Sequence, residues 1–148
     1  MKKMFLHNKK GFSLLELMIV IVILGLLATI IMPKILNRPE QARHTKAVVE
    51  IENIKSALAL FKLDTRDYPT TSQGLAALVS DPGIQNYKPD GYFDRVPLDP
   101  WGNPYIYISP GLHDKDYDLA SLGKDGENGG TGPDADIQSW NLEQSTAF

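Results

Sequence analysis

Residues 9–33 of the chain read KKGFSLLELMIVIVILGLLATIIMP, and this stretch decides the fold. From position 12 to position 32 only three residues are polar, namely Ser13, Glu16 and Thr29, and there is no proline. A helix of this length rises about 31 Å, which matches the hydrocarbon thickness of a bilayer. We therefore predict a transmembrane helix over residues 12–32, in which the carboxylate of Glu16 needs a partner.

A secretory signal, a signal anchor and a buried soluble helix each fit this apolar stretch less well. A cleaved secretory signal would have a shorter apolar core and a small-x-small cleavage site. An ordinary signal anchor would leave the acid at position 16 without a role. A buried helix of a soluble core would need a second segment of equal apolarity to pack against, and the chain has none.

Charge and composition indicate where the rest of the chain lies. Residues 1–11 carry four lysines and no acid, so they are expected to stay in the cytoplasm while the C-terminal part is exported. Without them the net charge falls from −3 to about −7, which argues against a nucleic-acid partner. The chain has no cysteine, so a small exported domain must be stabilised without a disulfide, and a metal ion becomes a candidate.

An apolar stripe with helical spacing follows the membrane segment. Its members are Ala47, Ile51, Ile54, Leu58 and Phe61. One helix is predicted from Phe12 to about Leu63. Pro33 and Pro39 mark a segment that is either helical in one state or a plain break between anchor and domain.

The second half of the chain predicts short elements joined by ordered loops. Residues 73–79 are predicted to form a short helix, and residues 84–104 form a loop rich in proline and glycine. Strands are predicted at residues 105–108 and 117–121. A small antiparallel sheet packed on the upper half of the long helix gives an α+β fold.

The leader and the start of the helix resemble the processing motif of type IV pilins and pseudopilins. The resemblance implies that a prepilin peptidase cleaves between Gly11 and Phe12 and methylates the new amino terminus. Glu16 then becomes the fifth residue of the mature chain. The amine of Phe12 and the carboxylate of Glu16 on a neighbouring subunit would be opposite charges in lipid, so pairing them offsets both desolvation costs and drives assembly.

Two further motifs, YPTTSQGL at 68–75 and PLDPWGNPY at 97–105, resemble the major pseudopilin family of type II secretion systems. The resemblance implies a pilin-like fold, with a long N-terminal helix whose lower half is membrane-embedded and a C-terminal metal-binding loop. It divides the chain into a cleaved leader (1–11), a transmembrane and assembly helix (12–32) and a periplasmic globular domain (33–148). Pro39 departs from the family pattern and leaves the local helix geometry open.

The same resemblance implies a structural subunit that polymerises into a periplasmic pseudopilus and supports the export of folded proteins across the outer membrane. Its expected partners are further copies of itself, the prepilin peptidase, minor pseudopilins, an inner-membrane assembly platform and the lipid bilayer. The expected location is the inner membrane, crossed once. Two rival functions remain, a type IV pilin for adhesion or motility and a membrane-anchored calcium-dependent binding module that does not polymerise.

The glycine- and acid-rich stretch near the C-terminus is the candidate metal site. On composition alone it fits a calcium site and a solvated acidic loop equally well. Residues 114–125 begin like an EF-hand, but Leu119 occupies the position that needs glycine. The pseudopilin resemblance favours Ca²⁺. It implies side-chain oxygens from Asp125 and from either Asp134 or Asp136, with backbone carbonyls near Leu122 and Glu127.

No pattern in the chain predicts catalysis. Three histidines, His7, His44 and His113, are interpreted as solvated surface groups. Asp99 beside Trp101 is interpreted as the cap of a Pro-Gly turn rather than as part of a sugar-binding patch. The chain is therefore predicted not to be an enzyme.

Overall fold

The computed structural model describes residues 13–36 and 38–145. The chain divides into two compact units, Met1–Arg38 and Pro39–Phe148. The helices are α1 (Leu14–Leu36), α2 (Arg38–Thr65) and α3 (Leu142–Ser145), and the strands are β1 (Ile106–Ile108), β2 (Asp118–Ser121) and β3 (Ile137–Gln138). The helix predicted from Phe12 to about Leu63 is thus found on both sides of Asn37, while Phe12 and Asn37 themselves lie outside the described residues.

In the first unit, a serine begins α1. The Oγ of Ser13 accepts a hydrogen bond of 3.1 Å from the backbone N–H of Glu16. Serine followed by glutamate three residues later is the capping-box pattern, and the acid lies where the helix dipole favours negative charge. The large apolar side chains from Leu14 to Leu27 are exposed. Among the described residues, no helix meets the length and apolarity required of a membrane span.

In the second unit, α2 supplies one side of the core. The predicted stripe is confirmed, since all five of its side chains are at most 1% exposed. Leu78, Leu119 and Ile137 are fully buried in the same cluster. The rings of Tyr87 and Tyr92 contact Phe61, with ring centroids 6.1 Å and 5.4 Å away. The core is therefore a helix stripe covered by short strands and loop aromatics.

The sheet is antiparallel with strand order β1-β2-β3. Ile106 pairs with Ala120, which pairs in turn with Gln138. All four residues of β2 are buried, so the alternation expected of a half-exposed strand is absent. Asp118 lies beneath the turn at residues 112–114, and the other end of the strand is covered by the loop before β1.

Three details differ from the sequence prediction. The helix predicted at residues 73–79 is a 3₁₀ helix, Gly74–Leu78. Strand β3 was not predicted, because two residues are too few to show a period of two. The interpretation of His44 as a surface group was wrong, since it is only 4% exposed. It lies three residues before Ala47 on the buried face of α2, where burial lowers the pKa of the imidazole.

The α2 stripe makes a direct prediction about stability. Leu58→Ala should lower the free energy of unfolding by about 2–5 kcal/mol, because it leaves a cavity in a fully buried site. Leu60→Ala is the matched control, since Leu60 is 55% exposed and should change stability by less than about 0.5 kcal/mol. Urea unfolding followed by circular dichroism measures both values. Equal effects of the two substitutions would contradict the assigned register of the helix.

Candidate metal-binding loop

The loop at residues 122–136 connects two paired strands. Ser121 pairs with Ile137, so Leu122 and Asp136 emerge side by side from the end of the β2–β3 hairpin. The two arms of the loop are joined by hydrogen bonds. The N–H of Lys124 donates to the carbonyl of Pro133 at 3.1 Å, and the N–H of Gly129 donates to Oδ2 of Asp136 at 3.0 Å.

Asp136 is the acid whose bonding is incomplete. Its Oδ2 accepts from Gly129, but Oδ1 is buried and has no hydrogen-bond partner within the described residues. A buried carboxylate oxygen without a partner loses its hydration without replacement, which is costly unless a cation or a donor occupies the space beside it. Of the two acids that the sequence left open, Asp136 therefore has the stronger claim. Asp134 lies half-buried in the 3₁₀ helix Gly132–Asp134.

The remaining predicted ligands lie on the first arm of the loop. Asp125 is exposed, and its Oδ1 accepts from the N–H of Glu127 at 3.1 Å. The part of the chain that the structure describes holds no group of three or more His, Cys, Asp or Glu side chains placed to bind a metal. A cation here would have to take several ligands from backbone carbonyls. Carboxylates combined with carbonyls are the hard oxygen donors that Ca²⁺ accepts, so the residues fit that ion.

A glycine allows the two arms to approach each other. Gly123 has φ = +66°, and a Cβ added there would lie 2.9 Å from the carbonyl oxygens of Asp134 and Ala135. Both neighbours are backbone atoms, which cannot rotate away as a flexible side chain could. The close packing of the loop therefore depends on the missing side chain.

Asp118, one of the EF-hand-like acids, caps a turn instead of facing a metal site. Asp118 accepts hydrogen bonds of 2.9, 3.0 and 2.9 Å from the backbone N–H groups of Leu112, His113 and Asp114. Its Oδ2 also lies 2.8 Å from Nδ1 of His113. Burial alone would raise the pKa of Asp118, but these donors outweigh it and hold the pKa below its usual value. The resulting stability is present above the unfolded-state pKa and is lost as pH falls through the folded-state pKa.

The interpretation of Asp99 as a turn cap is confirmed. Its Oδ1 accepts from the N–H groups of Trp101 and Asn103 at 3.1 and 2.8 Å. Its Oδ2 accepts from the hydroxyl of Ser121 at 2.7 Å, a contact that the sequence could not show.

Gly11 and Phe12, the predicted processing residues, lie outside the described part of the chain. Glu16 lies in the first turn of α1, exposed.

Comparison with solved structures defines the class of protein. The fold is similar to the major pseudopilin from the type 2 secretion system of enterohaemorrhagic Escherichia coli, with a TM-score of 0.61 and 39% sequence identity. The match covers 72% of this chain and 94% of that one. Residues 6–32 also match the prokaryotic N-terminal methylation motif. The chain is therefore a pilin-like protein.

Comparison of sequences identifies the family. Residues 34–140 match the model described as type II secretion system (T2SS), protein G. The type II secretion system core protein G of Vibrio cholerae is 49% identical over 147 residues, which is 97% of this chain and 98% of the relative. That of Pseudomonas aeruginosa is 47% identical over 138 residues, 90% of this chain and 96% of the relative. The chain belongs to the type II secretion system protein G family, and the predicted resemblance is confirmed.

This family consists of structural subunits, so the chain is a pseudopilus subunit and not an enzyme. The rival interpretation as a type IV pilin is not supported, because the match extends across the whole domain rather than the leader motif alone.

Two glycines of the loop provide a matched test of its packing. Gly123→Ala should lower the free energy of unfolding by more than Gly132→Ala does. Both have positive φ, +66° and +61°, so both pay about 1–2 kcal/mol for the left-handed conformation. Only at Gly123 does the new methyl group meet backbone atoms, since nothing lies within 4 Å of a Cβ at Gly132. Thermal melts of the two variants, compared with wild type, measure the difference. Equal losses would show that the two arms are not in close contact.

Proposed function

We propose that this pseudopilus subunit is anchored in the inner membrane, exposes its globular domain to the periplasm and polymerises with further copies of itself. The observation that carries the proposal is the succession of a methylation motif at residues 6–32 and a protein G domain at residues 34–140 in one short chain. The prepilin peptidase, minor pseudopilins and the inner-membrane assembly platform are the proposed partners. The proposed outcome is export of folded proteins across the outer membrane.

The apolar run at residues 12–32 is the proposed membrane anchor. Within this run, the structure describes the side chains of residues 13–29. Large apolar side chains on every side of this helix are exposed, and a surface of this kind requires lipid or neighbouring helices to cover it. Cleavage after Gly11 would leave Phe12 as the methylated amino terminus, immediately before the capping residue Ser13.

Glu16 is the proposed assembly residue. Its backbone N–H is satisfied by Ser13, and its side chain is exposed in the first turn of α1. In lipid, an exposed carboxylate is stabilised by a cation, and the amine of Phe12 on a neighbouring, axially staggered subunit would be such a cation. The pairing fixes the register between adjacent helices in the filament.

Glu16→Ala tests this assembly step. The variant should be processed and inserted but should form few filaments, because the intersubunit charge pair is lost. Glu52→Ala is the control, since that acid is exposed on α2 and pairs within its own helix with Lys55 at 2.8 Å. Filaments are counted by electron microscopy after overproduction, and mass analysis of the membrane fraction should show a chain that begins at Phe12 with one added methyl group. Normal filaments from Glu16→Ala, or an uncut Met1 terminus in filaments, would overturn the proposal.

One Ca²⁺ ion is proposed to bind the loop at residues 122–136. Asp125 and Asp136 would provide the side-chain oxygens, and Leu122 and Glu127 the backbone carbonyls. The unpartnered buried oxygen of Asp136 supports this assignment over Asp134. When bound, the ion would neutralise acids that otherwise repel one another and would join the two arms of a domain that has no disulfide.

Calcium should therefore stabilise the folded chain. At one hundred times its dissociation constant the ion would add about 2.7 kcal/mol. The melting temperature of the full-length protein in detergent should rise with calcium relative to chelator. Asp136→Asn should abolish the rise, while Asp134→Asn, the matched control, should retain it. Coincident curves for the wild type with calcium and with chelator would show that the loop is only a solvated acidic surface.

A further inference from the structure

The PLDPWGNPY segment at 97–105 forms a tight turn next to the proposed metal loop. Leu98 and Pro104 form an isolated antiparallel bridge. Inside it, the N–H of Asp99 donates to the carbonyl of Asn103 at 2.9 Å, and the N–H of Gly102 donates back to the carbonyl of Asp99 at 2.9 Å. With the two bonds to Oδ1 of Asp99 described above, residues 99–103 form a rigid, internally bonded turn, called here the Asp99 turn.

The Asp99 turn reaches the metal loop through Ser121. Oδ2 of Asp99 accepts from the Ser121 hydroxyl at 2.7 Å, and both residues are buried, at 4% and 0% exposure. The oxygen of that hydroxyl in turn accepts from the N–H of Gly123 at 3.3 Å. The Ser121 hydroxyl donates its one proton to Asp99, so a lone pair of its oxygen is free to accept from the N–H of Gly123. This gives a short chain of hydrogen bonds from the turn to the first peptide of the loop.

That peptide carries a proposed calcium ligand. The N–H of Gly123 and the carbonyl of Leu122 belong to the same planar trans unit, in which the two bonds point in opposite directions. Fixing the direction of the Gly123 N–H therefore fixes the direction of the Leu122 carbonyl. The bond through Ser121 thus sets where the carbonyl oxygen of Leu122 points.

A second contact holds the following peptide. Nδ2 of Asn103 donates to the carbonyl of Gly123 at 3.1 Å. The same amide lies under the loop farther along, 3.5 Å from where a Cβ of Gly126 would be. The carbonyl of Gly123 is thus held by the Asp99 turn and its N–H by Ser121, at the position where positive φ turns the loop.

The turn is also tied to the start of α2. Nε1 of Trp101 donates to Oε2 of Glu40 at 2.9 Å, while Oε1 of Glu40 lies 3.9 Å from Nζ of Lys124 in the metal loop. The Trp101 hydrogen bond holds the pKa of Glu40 below its usual value, so the carboxylate stays charged between these partners. Hydrogen bonds therefore connect the Asp99 turn both to the first turn of α2 and to the metal loop at residues 122–136, and the Glu40–Lys124 ion pair connects the last two directly.

We infer that Ser121 and Asn103 are positioning residues of the loop at residues 122–136. Ser121 holds the Leu122 carbonyl in the orientation that a calcium ion requires, and Asn103 holds the peptide that follows it. The inference rests on the calcium site proposed above. It assigns a role to the 97–105 motif, which contributes no ligand itself. Groups that orient metal ligands typically change metal affinity ten- to one-hundred-fold when removed.

Asn103→Ala and Ser121→Ala separate a positioning role from a merely structural one. The dissociation constant for calcium is measured by titration calorimetry on the full-length protein in detergent, at a temperature where near-ultraviolet circular dichroism shows each variant folded. We expect the dissociation constant to rise ten- to one-hundred-fold in both variants. Asn53→Ala is the matched control, since Asn53 is exposed on α2 and should leave the constant unchanged.

A second measurement does not depend on calcium. In chelator, amide hydrogen exchange at Gly123 and Lys124 should be faster in both variants than in wild type, because the peptides are no longer held. Dissociation constants within twofold of wild type in both variants would overturn the positioning role and leave the calcium site intact. A wild-type protein that binds no calcium would instead overturn the calcium site, and this inference with it.

Discussion

Burial of the α2 stripe is the constraint on which the globular unit depends. The three strands of the globular unit have three, four and two residues. A sheet this small is not stable in water unless a helix or further strands cover one face. Ile51, Leu58 and Phe61 supply that cover together with the aromatic residues of the 84–104 loop. The loops can be long and rich in glycine because the helix, and not the sheet, organises the core.

The sequence predicted those parts of the fold that have a period. The α2 stripe and the approximate positions of β1 and β2 could be found because repeated apolar residues mark them. Strand β3 could not be found, since Ile137-Gln138 is defined by its pairing with residues far away in sequence. His44 was misjudged for a related reason. Its charged neighbours suggested solvent, while its spacing from Ala47 placed it in the core.

The candidate site was predictable only in outline. Composition identified the acidic loop, and the family resemblance supplied Ca²⁺ and its residues, which remain proposals. Glycines with positive φ determine how the loop closes, and a sequence does not state such angles. The sequence leaves the choice between Asp134 and Asp136 open, and the choice of Asp136 is a proposal made from its unpartnered buried oxygen. The Asp99–Ser121 bond joins residues 22 positions apart, although Asp and Asn within a Pro-Gly turn were a signal that this segment is ordered.

Strand β3 follows the loop at residues 122–136 directly, so the order of that loop affects how easily the strand leaves the sheet. Strand β3 pairs with only two residues of β2, so β3 and the loop before it are expected to detach from β2 at a lower free-energy cost than unfolding of the whole unit. Their detachment would uncover Ile137 and leave the backbone groups of β2 unpaired along one edge. An exposed edge of this kind pairs readily with other chains and is accessible to proteases. Before assembly, the lifetime of a free subunit thus depends on how firmly strand β3 and the loop before it are held.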